Sequence, residues 1–297
     1  MVTAFEVVLD GATEPVGPHP TSLERAATPT LDELALRGEV SWRRTIPRGL
    51  PVGTETAMPV LLGWTPTAPV ARGALEAAAR DLPVPAGRRA HRLDGPGIGD
   101  LRALRDAGFT LHDLTRRRAL VPGHGAPVRG GLEPPRTVLA IGAGPLPALG
   151  SDVRIWADGL VPPPVLDART VVVAAVGAAA GVARLLGADV IVPDGATGDT
   201  DSDLRAKARA ALAAADRPGV ARVVVHVGAP DAAAHRRDAE AKVCAIEAAD
   251  RHVLAPLLAA VAARPGRASL AAGADHGCDP ATGRHHGAPV PWVRWAS

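Results

Sequence analysis

The chain contains no tyrosine, two phenylalanines and five tryptophans among 297 residues. Beside abundant Ala, Arg, Gly and Pro, that shortage reads as a compositional bias of the genome and points to no function. Two cysteines, Cys244 and Cys278, are too few for a disulfide framework, so a reducing cytoplasm is the expected setting. The opening residues, MVTAFEVVLDG, lack the basic segment and long apolar run of a secretory leader. The longest apolar run, about residues 170–183, falls short of the ~20 residues needed to cross a bilayer and reads as a strand followed by a helix. Nor is there an excess of one charge: 33 basic and 31 acidic residues leave +2, which gives no reason to expect a nucleic-acid or membrane partner. With 47% hydrophobic and 22% charged residues the chain is globular, and long enough for one large α/β unit plus a small inserted one.

What is present is an alternation of strands and helices. FEVVLD (5–10), TVLAIG (137–142), TVVVAAV (170–176), DVIVPD (189–194), ARVVVHVG (221–228) and RASLAAGAD (267–275) are almost continuously apolar, as in strands buried on both faces. Between them, TPTLDELALRG (28–38), SDLRAKARAALAAAD (202–216) and the long stretch 238–264 read as helices, the first with Pro29 at its start and Gly38 at its stop. The pattern predicts an α/β fold, a mostly parallel sheet sandwiched by helices. Residues 67–136 break the rhythm: they are dense in Arg, Pro and Gly, with RRAHR (88–92) and TRRRAL (115–120), and offer one or two helices. The expected organisation is an α/β domain from 1–66 and 150–297, with 67–149 as a reduced inserted cap or lid.

Three of the ten histidines fall within GADHGCDPATGRHHGAPVP (273–291), among glycines and prolines. In an open parallel sheet, ligands collect where loops leave the carboxyl ends of the strands. Four such loops carry metal-capable side chains: Asp10; Asp231 and His235; Asp275 and His276; His285 or His286. Taken singly these are weak signals, since an Asp-Gly is often a turn and an Asp-x-x-x-His often an exposed helix start. Together, carboxylate and imidazole without cysteine suit Zn²⁺ or Mn²⁺, in a number exceeding the needs of one tetrahedral ion. Two divalent ions are expected.

VVLDG, ATPTLDELALRG and GTETAMPVLLGWTP (53–66) in the first part resemble the archaeal-type cofactor-independent (2,3-bisphosphoglycerate-independent) phosphoglycerate mutases of the alkaline phosphatase superfamily. So do RIWADGLVPPP, GVARLLGADVIVPDGATGDTDSDLRAKARAAL, VVVHVGAPDAAAHRRDAEAKVCAIEAADRHV, GADHG and HHGAPVPWV in the second. About two thirds of the chain is covered. The resemblance implies an alkaline phosphatase-like fold, one ion held by Asp231, His235 and His285, and a second held by Asp10, Asp275 and His276 together with the nucleophile. His286 stands where that family has threonine and reads as a neighbour.

The nucleophile position is Thr54 where the family has serine; the chemistry tolerates threonine, because a hydroxyl on a divalent ion loses its proton far more readily than a free alcohol. The competing reading makes Thr54 a helix N-cap. Lys242 matches the family and is a candidate phosphate contact, against an ordinary surface ion pair with Glu247. Arg92, in the RLD that stands in for the family's Arg-Cys-Asn segment, is a candidate substrate contact, as are Arg88 and Arg89; His124 is a possible cap acid or base. The expected activity is transfer of a phosphoryl group within 2-/3-phosphoglycerate or a related small phosphorylated acid through a phosphothreonine. A metal-dependent phosphohydrolase or phosphodiesterase and a non-catalytic relative are the alternatives.

Overall fold

The computed structural model describes residues 3–114 and 136–297; the TRRRAL segment and His124 lie outside them. Among the described residues thirteen strands follow in chain order: β1 Thr3–Leu9, β2 Glu39–Arg43, β3 Arg89–Asp94, β4 Thr110–Asp113, β5 Thr137–Gly142, β6 Arg154–Ile155, β7 Thr170–Val173, β8 Asp189–Ile191, β9 Arg222–Val227, β10 Ala268–Ala274, β11 Gly277–Asp279, β12 Arg284–His286 and β13 Val290–Ala296. Seven form the main sheet in the order β2-β13-β10-β1-β9-β7-β8. Its five strands from β10 to β8 are parallel, and β13 and β2 add an antiparallel edge.

The parallel strands are apolar along their length because helices cover both of their faces. Phe5, Val7, Val8, Val171 to Val173, Val223 and Val225 are fully buried, and each such side chain contributes about 1.5–3 kcal/mol through removal from water. The expected helices form at Pro29–Arg37 and Leu204–Ala215. The long C-terminal helical stretch is divided: an α-helix over Ala239–Ala249, a π-turn over Asp250–Leu254 and a further α-helix over Ala255–Ala262. Asp250, buried in the wider turn, accepts the Thr30 and Leu31 backbone N–H groups at 3.1 and 2.9 Å and so caps the 29–37 helix, whose own Thr28 makes no side-chain cap.

Two expectations are corrected. TVLAIG is a buried strand but not part of the main sheet: as β5 it lies between β4 and β3 in a separate antiparallel sheet ordered β4-β5-β3-β6. Its unbroken apolarity comes from central position within that sheet, where Leu139, Ala140 and Ile141 pack into two small clusters. Region 67–136 therefore holds strands as well as the helices Arg72–Ala78 and Ile98–Asp106. The edge strands β2 and β13 escape a search for continuous apolar runs because EVSWR and VPWVRWA alternate. On β13, Arg37 lies over Trp295 and Arg43 over the buried Trp292, at 4.5 and 4.3 Å from the ring centroids, while Val40 and Trp42 of β2 remain exposed.

Candidate metal centre

The register of three neighbouring strands assembles the site. Leu9 pairs with both Ala274 of β10 and Val227 of β9, so the residues just past these positions, Asp10, Asp275 and the Gly228 turn, emerge together at the carboxyl rim. Gly228 leads into the helix Ala229–His235, whose one-turn spacing sets Asp231 and His235 on one face. The β11–β12 ladder then folds back so that His285 arrives from the opposite side.

Asp231 Oδ2 lies 3.2 Å from His235 Nε2, and its Oδ1 lies 3.2 Å from His285 Nε2. Asp10 Oδ1 is 3.2 Å from His276 Nε2, and His276 Nε2 is 3.6 Å from Asp275 Oδ2. All six expected protein ligands other than Thr54 are therefore drawn into one cluster. Thr54 joins it: its Oγ1 is 3.3 Å from each carboxylate oxygen of Asp10. The N-cap of the Thr54–Leu61 helix is Gly53, so Thr54 is the first helical residue and its hydroxyl is not used as a cap.

The donor set fits cations. Three imidazoles direct Nδ1 at a backbone carbonyl: His235 at Gly283 (3.0 Å), His276 at Gly277 (3.2 Å) and His285 at Val52 (2.8 Å). A carbonyl can only accept, so each Nδ1 carries a proton and each ring turns Nε2 toward the carboxylates, the arrangement that orients metal-binding histidines. His235 and His285 then face each other Nε2 to Nε2 at 2.9 Å, a lone-pair opposition that a shared cation or proton relieves. Asp275 is built the same way. Its Oδ1 accepts the Gly11 and His276 N–H groups at 3.2 and 2.8 Å, while Oδ2 is buried without a partner.

Electrostatics report the same crowding. Burial, reinforced by Asp275 and Asp231, raises the Asp10 carboxyl well above its ordinary range. Burial would also raise Asp231, but hydrogen bonds with His235 and His285 hold it well below. Burial would lower His276; Asp275 and Asp10 outweigh it and push the imidazole up to about 10. Protons thus stand in the metal-free chain where divalent ions would stand in the loaded one.

Two further residues enter that the sequence reading passed over. His226, inside the apolar run VVVHVG, is buried with an unpartnered Nε2 3.5 Å from Asp10 Oδ2, and it groups with Asp10 and Asp275 as a possible ligand set. Burial lowers its pKa to about 4, so it is neutral and able to donate a lone pair. Cys278 groups with Asp231, His235 and His285. The signal was a polar residue in an otherwise apolar strand for one, and the pairing of Cys278 with His285 across a short hairpin for the other.

The remaining candidates are placed differently. Lys242 does not reach the cleft: fully buried, its Nζ pairs with Glu14 at 3.0 Å and donates to the Cys278 carbonyl at 2.6 Å, which replaces both the expected phosphate contact and the surface pair with Glu247. Arg92 does line the cleft, tied to Glu76 at 2.7 Å and Asp94 at 3.2 Å, with its guanidinium 4.8 Å over Trp156. Arg89 instead pairs with Asp158 at the surface, and Arg88 is exposed. His286 turns to the face of the hairpin opposite His285 and packs over Gly277, where a Cβ would sit 1.8 Å from its Nε2. The cleft itself holds about 700 Å³ and is lined by Thr54, Asp231 and His285 together with Arg92, Arg154 and Trp156. Among the described residues no helix is long and apolar enough to cross a membrane.

A mostly parallel α/β sheet carrying a buried carboxylate–imidazole cluster at its carboxyl rim defines a metalloenzyme. A family model described as the metalloenzyme superfamily matches residues 3–297, and the chain belongs to that superfamily, within the branch of archaeal-type cofactor-independent phosphoglycerate mutases. The 2,3-bisphosphoglycerate-independent phosphoglycerate mutase of Ignicoccus hospitalis is 30% identical over 369 residues, covering 93% of this chain and 83% of that protein. The enzyme of the same name from Methanosarcina acetivorans is 27% identical over 340 residues, with 92% and 84% covered. Among solved structures, the PH0037 protein from Pyrococcus horikoshii superposes with a TM-score of 0.72 at 22% identity over 100% of this chain and 86% of that one. The cofactor-independent phosphoglycerate mutase from Thermoplasma acidophilum gives 0.59 at 17% identity, over 100% and 90%. At these identities the structures bear on fold alone.

Proposed function

We propose that the protein moves a phosphoryl group between the hydroxyls of 2-/3-phosphoglycerate or a related small phosphorylated acid, through a covalent phosphothreonine at Thr54. The observation that carries this reading is the Thr54 hydroxyl, set on the first turn of a helix 3.3 Å from Asp10 and opening onto the cleft. Asp231, His235 and His285 would hold one divalent ion, and Asp10, Asp275 and His276 with Thr54 the other, either Mn²⁺ or Zn²⁺. Bound there, such ions would ease deprotonation of the Thr54 hydroxyl and neutralise charge on the phosphoryl oxygens.

The chain's own groups supply the rest. The amino end of the Thr54–Leu61 helix directs N–H groups toward an incoming phosphate. Arg92 and Arg154, both stacked on Trp156 and lining the same cleft, offer planar donors to the carboxylate of the acid. Thr54 Oγ attacks phosphorus as the bond to the first hydroxyl breaks, and that oxygen takes up a proton. The acid then turns, its other hydroxyl attacks the phosphothreonine, and Thr54 regains its proton. Retaining the dephosphorylated acid between these steps requires water exclusion, the task we assign to the β4-β5-β3-β6 sheet and its helices as a cap over the cleft.

Incubation of the metal-loaded protein with 3-phosphoglycerate, followed by phosphorus NMR, tests the reading. Appearance of 2-phosphoglycerate is expected. Release of inorganic phosphate alone would replace it with a hydrolase.

A further inference from the structure

Cys278 is fully buried and directly opposite His285 in the β11–β12 ladder. Paired residues in an antiparallel ladder project to the same face, so the thiol follows His285 toward Asp231 and His235. The ligand atoms of these four residues lie within 4.8 Å of one another. The backbone holds the thiol there: Cys278 N–H donates to the Thr13 carbonyl at 3.0 Å, and its carbonyl accepts the buried Lys242 ammonium at 2.6 Å. A second, independent observation points to a cation at this place: Nε2 of His235 and Nε2 of His285 lie 2.9 Å apart, each ring having its Nδ1 committed to a backbone carbonyl.

We infer that Cys278 is a fourth ligand of the ion held by Asp231, His235 and His285, and that its sulfur selects Zn²⁺ over Mn²⁺ at that position. Thiolate is a soft donor that suits zinc, whereas manganese is matched by oxygen ligands. One carboxylate, two imidazoles and one thiolate would supply the four protein ligands that zinc commonly takes. On binding, the S–H bond breaks, its electron pair forms the sulfur–zinc bond and the proton leaves to solvent; no oxidant or reductant takes part. In the metal-free chain burial and the neighbouring Asp231 keep the thiol protonated, and the ion provides the compensating charge. Lys242 acquires a role as the group that positions Cys278.

The inference rests on the metal centre proposed above, and cobalt substitution separates the two. The full chain, stripped with chelator and loaded with Co²⁺, is expected to show visible ligand-field bands together with a strong near-ultraviolet thiolate-to-cobalt absorption. Cys278→Ser should lose the near-ultraviolet band and keep the visible ones. Cys244→Ser, which alters the exposed cysteine, should keep both. Zinc affinity of Cys278→Ser should fall by at least the roughly 10–100-fold typical of losing even an outer-shell partner, with Mn²⁺ affinity changed far less. Visible bands without the charge-transfer band in the unaltered chain would overturn the thiolate ligand while leaving the metal centre standing. Failure to bind cobalt at all would overturn both. Should Cys278→Ser fail to fold, X-ray absorption at the zinc edge of the unaltered chain decides the matter: a sulfur neighbour at about 2.3 Å is expected, and a shell of nitrogen and oxygen alone refutes it.

Discussion

A Cβ placed on Gly11 would lie 2.6 Å from Oδ1 of Asp231. The residue after Asp10 must both turn in the left-handed region, at φ +60°, and leave space for a carboxylate arriving from the helix that follows β9. Gly11→Ala is therefore expected to displace Asp231 and strain the turn, at a cost of about 1–3 kcal/mol in stability together with weakened metal binding. Thermal melting and a metal titration of the same variant check both effects.

Thr54 is expected to be indispensable as an oxygen nucleophile and replaceable by its nearest chemical relative. Thr54→Ala should lower turnover by roughly 10³-fold or more, whereas Thr54→Ser should retain activity and become the labelled residue when radioactive phosphate is trapped by acid quench. Undiminished turnover in Thr54→Ala would remove Thr54 from the chemistry.

Removal of metal should loosen the fold. Asp10, Asp231 and Asp275 approach one another at the rim with little solvent to screen them, and a ligand present at about 100 times its dissociation constant adds about 2.7 kcal/mol to stability. Chelation is expected to lower the melting temperature by several degrees, and re-addition of Zn²⁺ should restore it. An unchanged melting curve would contradict metal binding at these carboxylates.

Acid should weaken the tie between the helix Arg72–Ala78 and β3 made through Glu76. Burial would raise this carboxyl, but Arg72, Arg92 and Arg80 outweigh burial and bring it to about 2 from an ordinary 4.5. A carboxylate depressed in the folded state stabilises fully above its unfolded value and ceases to do so as pH falls through the folded one. The window is thus about pH 4.5 down to about 2, with about 3 kcal/mol involved. Denaturant midpoints measured across that range should fall steeply for the native chain and less steeply for Glu76→Gln.

Asp250→Ala should destabilise without touching turnover. Losing acceptors for the Thr30 and Leu31 N–H groups leaves the 29–37 helix uncapped, worth about 1–2 kcal/mol. A fall in turnover at temperatures where the variant remains folded would show that this helix serves the site as well.

Much of the site was legible because carboxylates and imidazoles at strand tips interrupt apolar runs, and such interruptions are conspicuous in one dimension. Asp10, Asp231, His235, Asp275 and His276 carry that mark, whereas Thr54 and the choice of His285 over His286 came from the family resemblance. His226 does not carry it, since one histidine within VVVHVG does not disturb the strand pattern; it matters because Val8 is its neighbour in β1 and Asp10 lies just beyond. Lys242 misled for the opposite reason. Its helical position says nothing of which neighbour receives the ammonium, and here Glu14 and the Cys278 carbonyl do.

The parallel core strands, their covering helices and the chemical kinds of ligand follow from local sequence, because periodicity and strand-end residues are properties of a few consecutive positions. Tertiary structure alone decided that β5 belongs to a second sheet, that β2 and β13 close the edge of the first, and that Cys278 shares a face with His285. The first two depend on pairing between segments far apart in the chain, and the third on the register of the short β11–β12 hairpin, where a shift by one residue would have turned the thiol to the opposite face.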